Sequence, residues 1–64
     1  VTVAVLGTGL IGGSIGLALT ARGEEVVGFD TDPDRADEAR RWGAVTRVAR
    51  SVEEAAADAS LVVV

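Results

Sequence analysis

The sequence predicts an α/β fold, the N-terminal half of a doubly wound parallel sheet with element order βαβαβαβ and strand order 3-2-1-4. Three observations carry that prediction. An apolar, β-branched run, Thr2 to Leu6, stops at a glycine. Glycines then stand at Gly7, Gly9 and Gly12, the spacing G-x-G-x-x-G, and an apolar helical stretch begins inside the motif. A second apolar run ends at Asp30, 18 positions beyond Gly12. Strands that alternate with helices at this rhythm form right-handed βαβ units and hence a parallel sheet. In doubly wound order the switch point falls between strands one and four, where Gly7 lies.

Each element has its own justification. Thr2 to Leu6 is rich in valine and lacks polar alternation, the pattern of a strand buried on both faces. Leu10 to Arg22 is the first helix. Ile11, Ile15, Ala18 and Leu19 recur at helical spacing, and Gly23 follows as the left-handed stop. Gly12 and Gly16 lie four apart on one face, a groove where strand and helix backbones can approach. Glu25 to Asp30 is the second strand. Asp32 caps the second helix and Pro33 fits its first position, where a missing N–H costs nothing. Asp34 in the first turn and Arg40 and Arg41 in the last complement the dipole, and Gly43 ends the helix. Its inner face is Ala36 and Ala39, so it packs close while burying little area. Ala44 to Ala49 is a third strand interrupted by arginines. Ser51-Val52-Glu53-Glu54 has the S-x-x-E capping pattern and opens a short third helix through Ala57. Asp58 sits in the turn before a fourth strand, Leu61 to Val64. Trp42 is expected to cover the end of the second helix rather than to stack on a ligand.

Composition narrows the function classes. The net charge is −4, with ten acidic residues against six arginines, and no basic cluster exists to displace counterions from a nucleic acid. Cysteine and histidine are absent, which removes disulfides, thiol chemistry and an ordinary zinc site. The lack of cysteine fits a cytoplasmic protein. Leu10 to Ala21 is too short and too polar to span a bilayer. No pair of carboxylates or Ser/His/Asp set is present, so no proton-transfer residue is expected within these positions. A 64-residue domain buries only about 60% of its unfolded surface. The chain opens on a strand residue and closes on an apolar strand, so residues 1–64 are expected to be the N-terminal portion of a dinucleotide-binding domain in a longer protein.

The glycine motif between a strand and a helix, with an acid at the end of the next strand, is the dinucleotide-binding fingerprint of Rossmann folds. Gly7 allows the tight turn, Gly9 lets a pyrophosphate approach the backbone, and Gly12 lets the helix pack against the strand. The N–H groups of the first helical turn, at the positive end of its dipole, point at the phosphates. Asp30 can accept hydrogen bonds from an adenosine ribose and would repel a 2′-phosphate, which favours NAD over NADP. Thr31 beside it is neutral, where an NADP site would want an arginine. Arg35 is near in sequence but reads as a solvated helix residue. Asp30-Thr31-Asp32-Pro33 would also make a good turn with no ligand.

The stretch Gly7-Thr8-Gly9-Leu10-Ile11-Gly12-Gly13-Ser14-Ile15-Gly16-Leu17-Ala18-Leu19 resembles the opening of the prephenate/arogenate dehydrogenase family. Gly28-Phe29-Asp30-Thr31-Asp32-Pro33 is similar to that family's second strand and turn, and Ser51 to Val64 to its capped helix and fourth strand. The resemblance implies an NAD(P)-dependent oxidoreductase of tyrosine biosynthesis that oxidatively decarboxylates prephenate or arogenate. It implies that Gly7, Gly9 and Gly12, with the backbone of Leu10 and Ile11, bind pyrophosphate. The candidate cofactor-binding positions are then Gly7, Thr8, Gly9, Leu10, Ile11 and Gly12, together with Asp30 and Thr31. The family's catalytic histidine, substrate-binding arginine and helical homodimerisation domain lie beyond the matched stretch.

Two other readings share these features. Another dehydrogenase of the β-hydroxyacid or 6-phosphogluconate type would have the same N-terminal half. A nucleotide-sensing module such as those that gate potassium channels carries a similar strand–GxGxxG–helix. Those modules continue with Gly-Asp after strand three, where this chain has Val48-Ala49-Arg50-Ser51. If Asp30 reads the ribose, Asp30→Ser combined with Thr31→Arg shifts the ratio of NAD to NADP dissociation constants toward NADP by at least about tenfold, measured by titration.

Overall fold

The computed structural model describes residues 1–7 and 9–64, with side chains for all of these except residues 10–12. Seven elements follow in order: β1 (Thr2–Leu6), α1 (Leu10–Ala21), β2 (Glu25–Phe29), α2 (Pro33–Arg41), β3 (Arg47–Val48), α3 (Val52–Ala56) and β4 (Leu61–Val63). The four strands form one parallel sheet in the order β3-β2-β1-β4, the doubly wound arrangement that the alternation of elements predicts. The register pairs Leu6 with Phe29, so the ends of β1 and β2 are level.

Apolar side chains from alternate positions of the central strands fill both faces, as strands without polar alternation require. Val3, Val5 and Val26 pack with Ala39, Ala44 and Val45 on one face. Ala4 and Val27 pack with Ala49 and Ala55 on the other. Ala36 and Ala39 form the buried face of α2, and their small size brings that helix close to the sheet.

Both longer helices end by the same device. Gly23 and Gly43 take φ of +84° and +80°, a conformation that a side chain penalises. Glu24 N–H then reaches Leu19 O at 3.1 Å and Gly23 N–H reaches Thr20 O at 3.0 Å. After α2, Ala44 N–H reaches Ala39 O at 2.9 Å and Gly43 N–H reaches Arg40 O at 3.1 Å. These are paired Schellman bonds, which satisfy carbonyls that the helix leaves open. They also shorten α1 by one residue against the expected Leu10–Arg22, because Arg22 serves as the C-cap.

The third strand departs furthest from expectation. Ala44 to Ala49 was expected to be extended, yet β3 covers only Arg47 and Val48. The first residues of that run have other partners. The Ala44 carbonyl accepts the Thr20 hydroxyl at 3.3 Å, and a Cβ at Gly16 would overlap that carbonyl oxygen and stand 3.1 Å from its carbon. The close approach that Gly16 permits is therefore to the chain leaving α2, not to β1. Thr46 then mimics a strand neighbour, with its hydroxyl donating to Val26 O at 2.9 Å and accepting from Val26 N–H at 3.0 Å.

At the other edge, β4 runs Leu61–Val63 rather than to Val64 and pairs only with β1. Leu61 is 54% exposed and Val62 is 42% exposed, although the run is apolar. An edge strand has a neighbour on one side, and among the described residues only Val63 packs onto the core. Trp42 also differs: as the C-cap of α2 it is 74% exposed and does not join the buried face of its helix. Both capping motifs match the sequence. Asp32 accepts from Asp34 N–H at 3.0 Å and Ser51 from Glu54 N–H at 3.0 Å. Glu54 reaches back to Arg50 N–H at 3.0 Å, one residue before the cap. Because the contact at Gly16 is with backbone, Gly16→Ala lowers the stability of the intact protein by about 1–3 kcal/mol in denaturant unfolding.

Candidate functional site

The end of β1 and the end of β2 meet at one place. Gly7 leaves β1 at φ +94°, a backbone conformation that favours glycine, and donates its N–H to the Phe29 carbonyl at 2.7 Å. Phe29 is the last residue of β2, and Asp30 follows it directly. The glycine turn and the acid, 23 positions apart in the chain, are thus held side by side.

Gly9 is the N-cap of α1, with φ −70° and ψ −162°, and its carbonyl accepts Gly13 N–H at 2.7 Å to begin the helix. No side chain caps this end and no acidic residue lies in its first turn. The positive end of the helix dipole is therefore not offset by a carboxylate of its own first turn. Gly9 itself needs no unusual φ, and a Cβ there would meet none of the described atoms within 4 Å. Neither backbone conformation nor packing among the described residues calls for glycine at that position. A glycine there leaves the backbone open to close approach, and an uncapped helix start of this kind fits a diphosphate.

Asp30 is half-buried, and its Oδ1 accepts Asp32 N–H at 2.9 Å. The turn role that Asp30-Thr31-Asp32-Pro33 allows is thus realised, and Asp32 repeats it toward Asp34. This bond also ends β2 one residue before the expected Asp30. A carboxylate offers about four acceptor positions, so a turn bond and a sugar hydroxyl are compatible at one side chain. Thr31 is exposed next to it.

The expected site residues fall into two adjoining groups. Gly7, Gly9 and the backbone of Leu10, Ile11 and Gly12 form the turn and the start of α1, and Asp30 and Thr31 form the β2–α2 junction. Thr8 lies outside the described residues, as does the close packing expected of Gly12. Trp42 lines a hollow between α1 and α2 with Gly9, Gly13, Ser14 and Leu17, and is not brought to the hollow beside Asp30. Sequence reasoning missed that second hollow, of about 700 Å³, whose walls include Arg40, Arg47 and Arg50. Its only signal was three arginines spread over two elements and a loop. Among the described residues no group of three or more His, Cys, Asp or Glu could hold a metal, and no helix is long and apolar enough to cross a membrane.

Comparison with known proteins fits this geometry. Residues 2–64 match the family described as NADP oxidoreductase, coenzyme F420-dependent. Arogenate dehydrogenase from Synechocystis superposes with a TM-score of 0.89 over 97% of this chain and 22% of its own, at 22% identity, a likeness of fold. The 3-hydroxyisobutyrate dehydrogenase of Mycobacterium tuberculosis, in a structure with L-serine, superposes with a TM-score of 0.85. It is 41% identical over 95% of this chain and 20% of its own. The chain thus spans about a fifth of the length of each of these enzymes. No curated protein sequence matches it. Since a Cβ at position 9 meets no described atom within 4 Å, Gly9→Ala leaves the unfolding midpoint of the intact protein nearly unchanged. The same variant weakens dinucleotide binding by at least about tenfold in a calorimetric titration.

Proposed function

The chain belongs to the family of coenzyme F420-dependent NADP oxidoreductases, and from that premise we propose that residues 1–64 are the N-terminal portion of a dinucleotide-binding domain in an NAD(P)-dependent dehydrogenase. The observation that carries this reading is the uncapped start of α1 standing beside Asp30, with the Gly7–Phe29 hydrogen bond tying the two together. A bound nicotinamide dinucleotide supplies the hydride acceptor. The chain's own part is to bind and orient it. Gly7 turns the chain, and Gly9 leaves room at the backbone. N–H groups of Leu10, Ile11 and Gly12 donate to the diphosphate, and Asp30 accepts from the adenosine ribose, with Thr31 beside it. NAD is the preferred form on this reading, because the Asp30 carboxylate repels a 2′-phosphate.

The substrate reading supported best is a β-hydroxyacid, through the 41% identity to 3-hydroxyisobutyrate dehydrogenase. Prephenate or arogenate is the second reading, favoured by the Leu10-Ile11-Gly12-Gly13-Ser14 continuation of the motif. In either case the proton-transfer group and the homodimer contacts come from other parts of a cytoplasmic protein. The intact protein, assayed with NAD and NADP against short β-hydroxyacids, prephenate and arogenate, is expected to oxidise a β-hydroxyacid with NAD. Turnover confined to prephenate or arogenate moves the assignment to the second reading. Turnover confined to reduced coenzyme F420 with NADP replaces both by hydride exchange between two carriers. Failure to bind any nicotinamide dinucleotide saturably removes the dehydrogenase reading altogether.

A further inference from the structure

One face of α1 seats it on the rest of the fold. Gly16 is buried, Leu19 packs against the core and Thr20 is half-buried, while Ser14, Leu17 and Ala18 are exposed. Gly16 and Thr20 lie four apart, on one side of the helix, and both meet the same atom. Thr20 Oγ1 donates to the Ala44 carbonyl at 3.3 Å, and a Cβ at Gly16 would overlap that oxygen. The carbonyl is itself held firmly. Ala44 and Val45 are both buried, and Ala44 N–H is bonded to Ala39 O at 2.9 Å. Thr46, two residues on, exchanges two hydrogen bonds with the main chain of Val26.

This seat lies far from the end of the helix that meets a dinucleotide. Thr20 comes ten positions after Leu10, about 15 Å along the axis at about 1.5 Å per residue. A pivot of about 4° at Thr20 therefore moves the start of α1 by about 1 Å. The working range of an N–H···O hydrogen bond is only about 0.5 Å wide. Such a pivot carries the first-turn N–H groups out of reach of a diphosphate whose ribose is held at Asp30. The Gly7–Phe29 bond fixes a point in the turn before α1. One point does not fix a direction, and the second point is the Ala44 carbonyl.

We propose that Thr20 is a positioning residue for dinucleotide binding: its hydroxyl, on the Ala44 carbonyl, sets the tilt of α1 and with it the place of the first-turn N–H groups relative to Asp30. Gly16 supplies the close approach, and Thr20 the polar contact that fixes the angle. The proposal rests on the dinucleotide reading above and deepens it, since Thr20 acts through the helix from outside both the glycine motif and the end of β2.

The test is calorimetric titration of the intact protein with NAD, ADP and adenosine, for the wild type and for Thr20→Val, Thr20→Ser and Gly16→Ala, well below each unfolding transition. Thr20→Val keeps the shape of the side chain and removes its donor. It should weaken NAD and ADP by at least about fivefold while changing adenosine, which has no phosphate, less than about twofold. Retained adenosine affinity doubles as the control for folding. Thr20→Ser keeps the hydroxyl and should stay within about twofold of the wild type for all three ligands. Gly16→Ala, which pushes α1 away from the same carbonyl, should repeat the pattern of Thr20→Val. Equal losses for all three ligands, no loss for any, or a Thr20→Ser variant as weak as Thr20→Val overturns the positioning role and leaves the dinucleotide reading standing. A wild type that binds none of the three removes the dinucleotide reading and the role of Thr20 with it.

Discussion

The 2.7 Å hydrogen bond from Gly7 N–H to the Phe29 carbonyl is the contact on which the arrangement of the site depends. It extends the β1–β2 ladder past the end of β1, so the turn after β1 is docked onto the end of β2 and not left as a free loop. Gly7 can donate there because φ +94° turns its N–H toward β2 while the chain moves off toward α1. The turn that leads to α1 and the end of β2, which Asp30 follows, are then tied to each other by a main-chain bond. Any change that shifted the register by one residue would break the pairing of Leu6 with Phe29. It would also move Val3 and Val5 off the face they share with Val26. Core packing and site geometry are therefore one constraint.

Small residues set how close the layers come. Among the described residues the largest fully buried side chains are Val5, Val26 and Val27, and the buried helix positions of α2 and α3 are alanines. A core of this kind contributes little area per residue, so its fit depends on backbones approaching closely. Gly16 is where that demand is sharpest. The chain leaving α2 passes so near α1 that the Ala44 carbonyl occupies the place of a side chain, and Thr20 one turn later hydrogen-bonds the same oxygen. Gly43 makes this crossing possible by turning the chain back at the end of α2.

The order of the strands, both Schellman stops, the Asp32 and Ser51 caps and the pairing of the glycine turn with Asp30 are all legible in the sequence. Each rests on a local rule with a short reach, such as a glycine after a helix, an acid before Pro33, or an apolar run before a turn. What is not legible depends on contacts between distant segments. Thr46 reads as one more strand residue, yet its hydroxyl takes both a donor and an acceptor role at Val26 and leaves only Arg47 and Val48 as strand. Trp42 reads as a cap over its helix, but the chain bends away at Gly43 and the ring stays in solvent. The hollow beside Asp30 gathers arginines from α2, β3 and the following loop, and no spacing within one element announces that.

The proposed site divides into a part made of backbone and a part made of side chains, and the two respond differently to sequence change. Gripping a diphosphate needs only N–H groups at a helix start and a glycine that stays out of the way. Both are fixed by the fold, and neither distinguishes one dinucleotide from another. On the proposed reading, choosing between dinucleotides would fall to the side chains near the end of β2, Asp30 first among them. Arg40 and Arg50 are exposed, and no described contact in the core uses them. Substitution there costs the fold little, since exposed charges contribute little to stability. On that reading the side chains beside a ligand can change at little cost, while the backbone that would grip it is held by the same hydrogen bond and register that hold the sheet together.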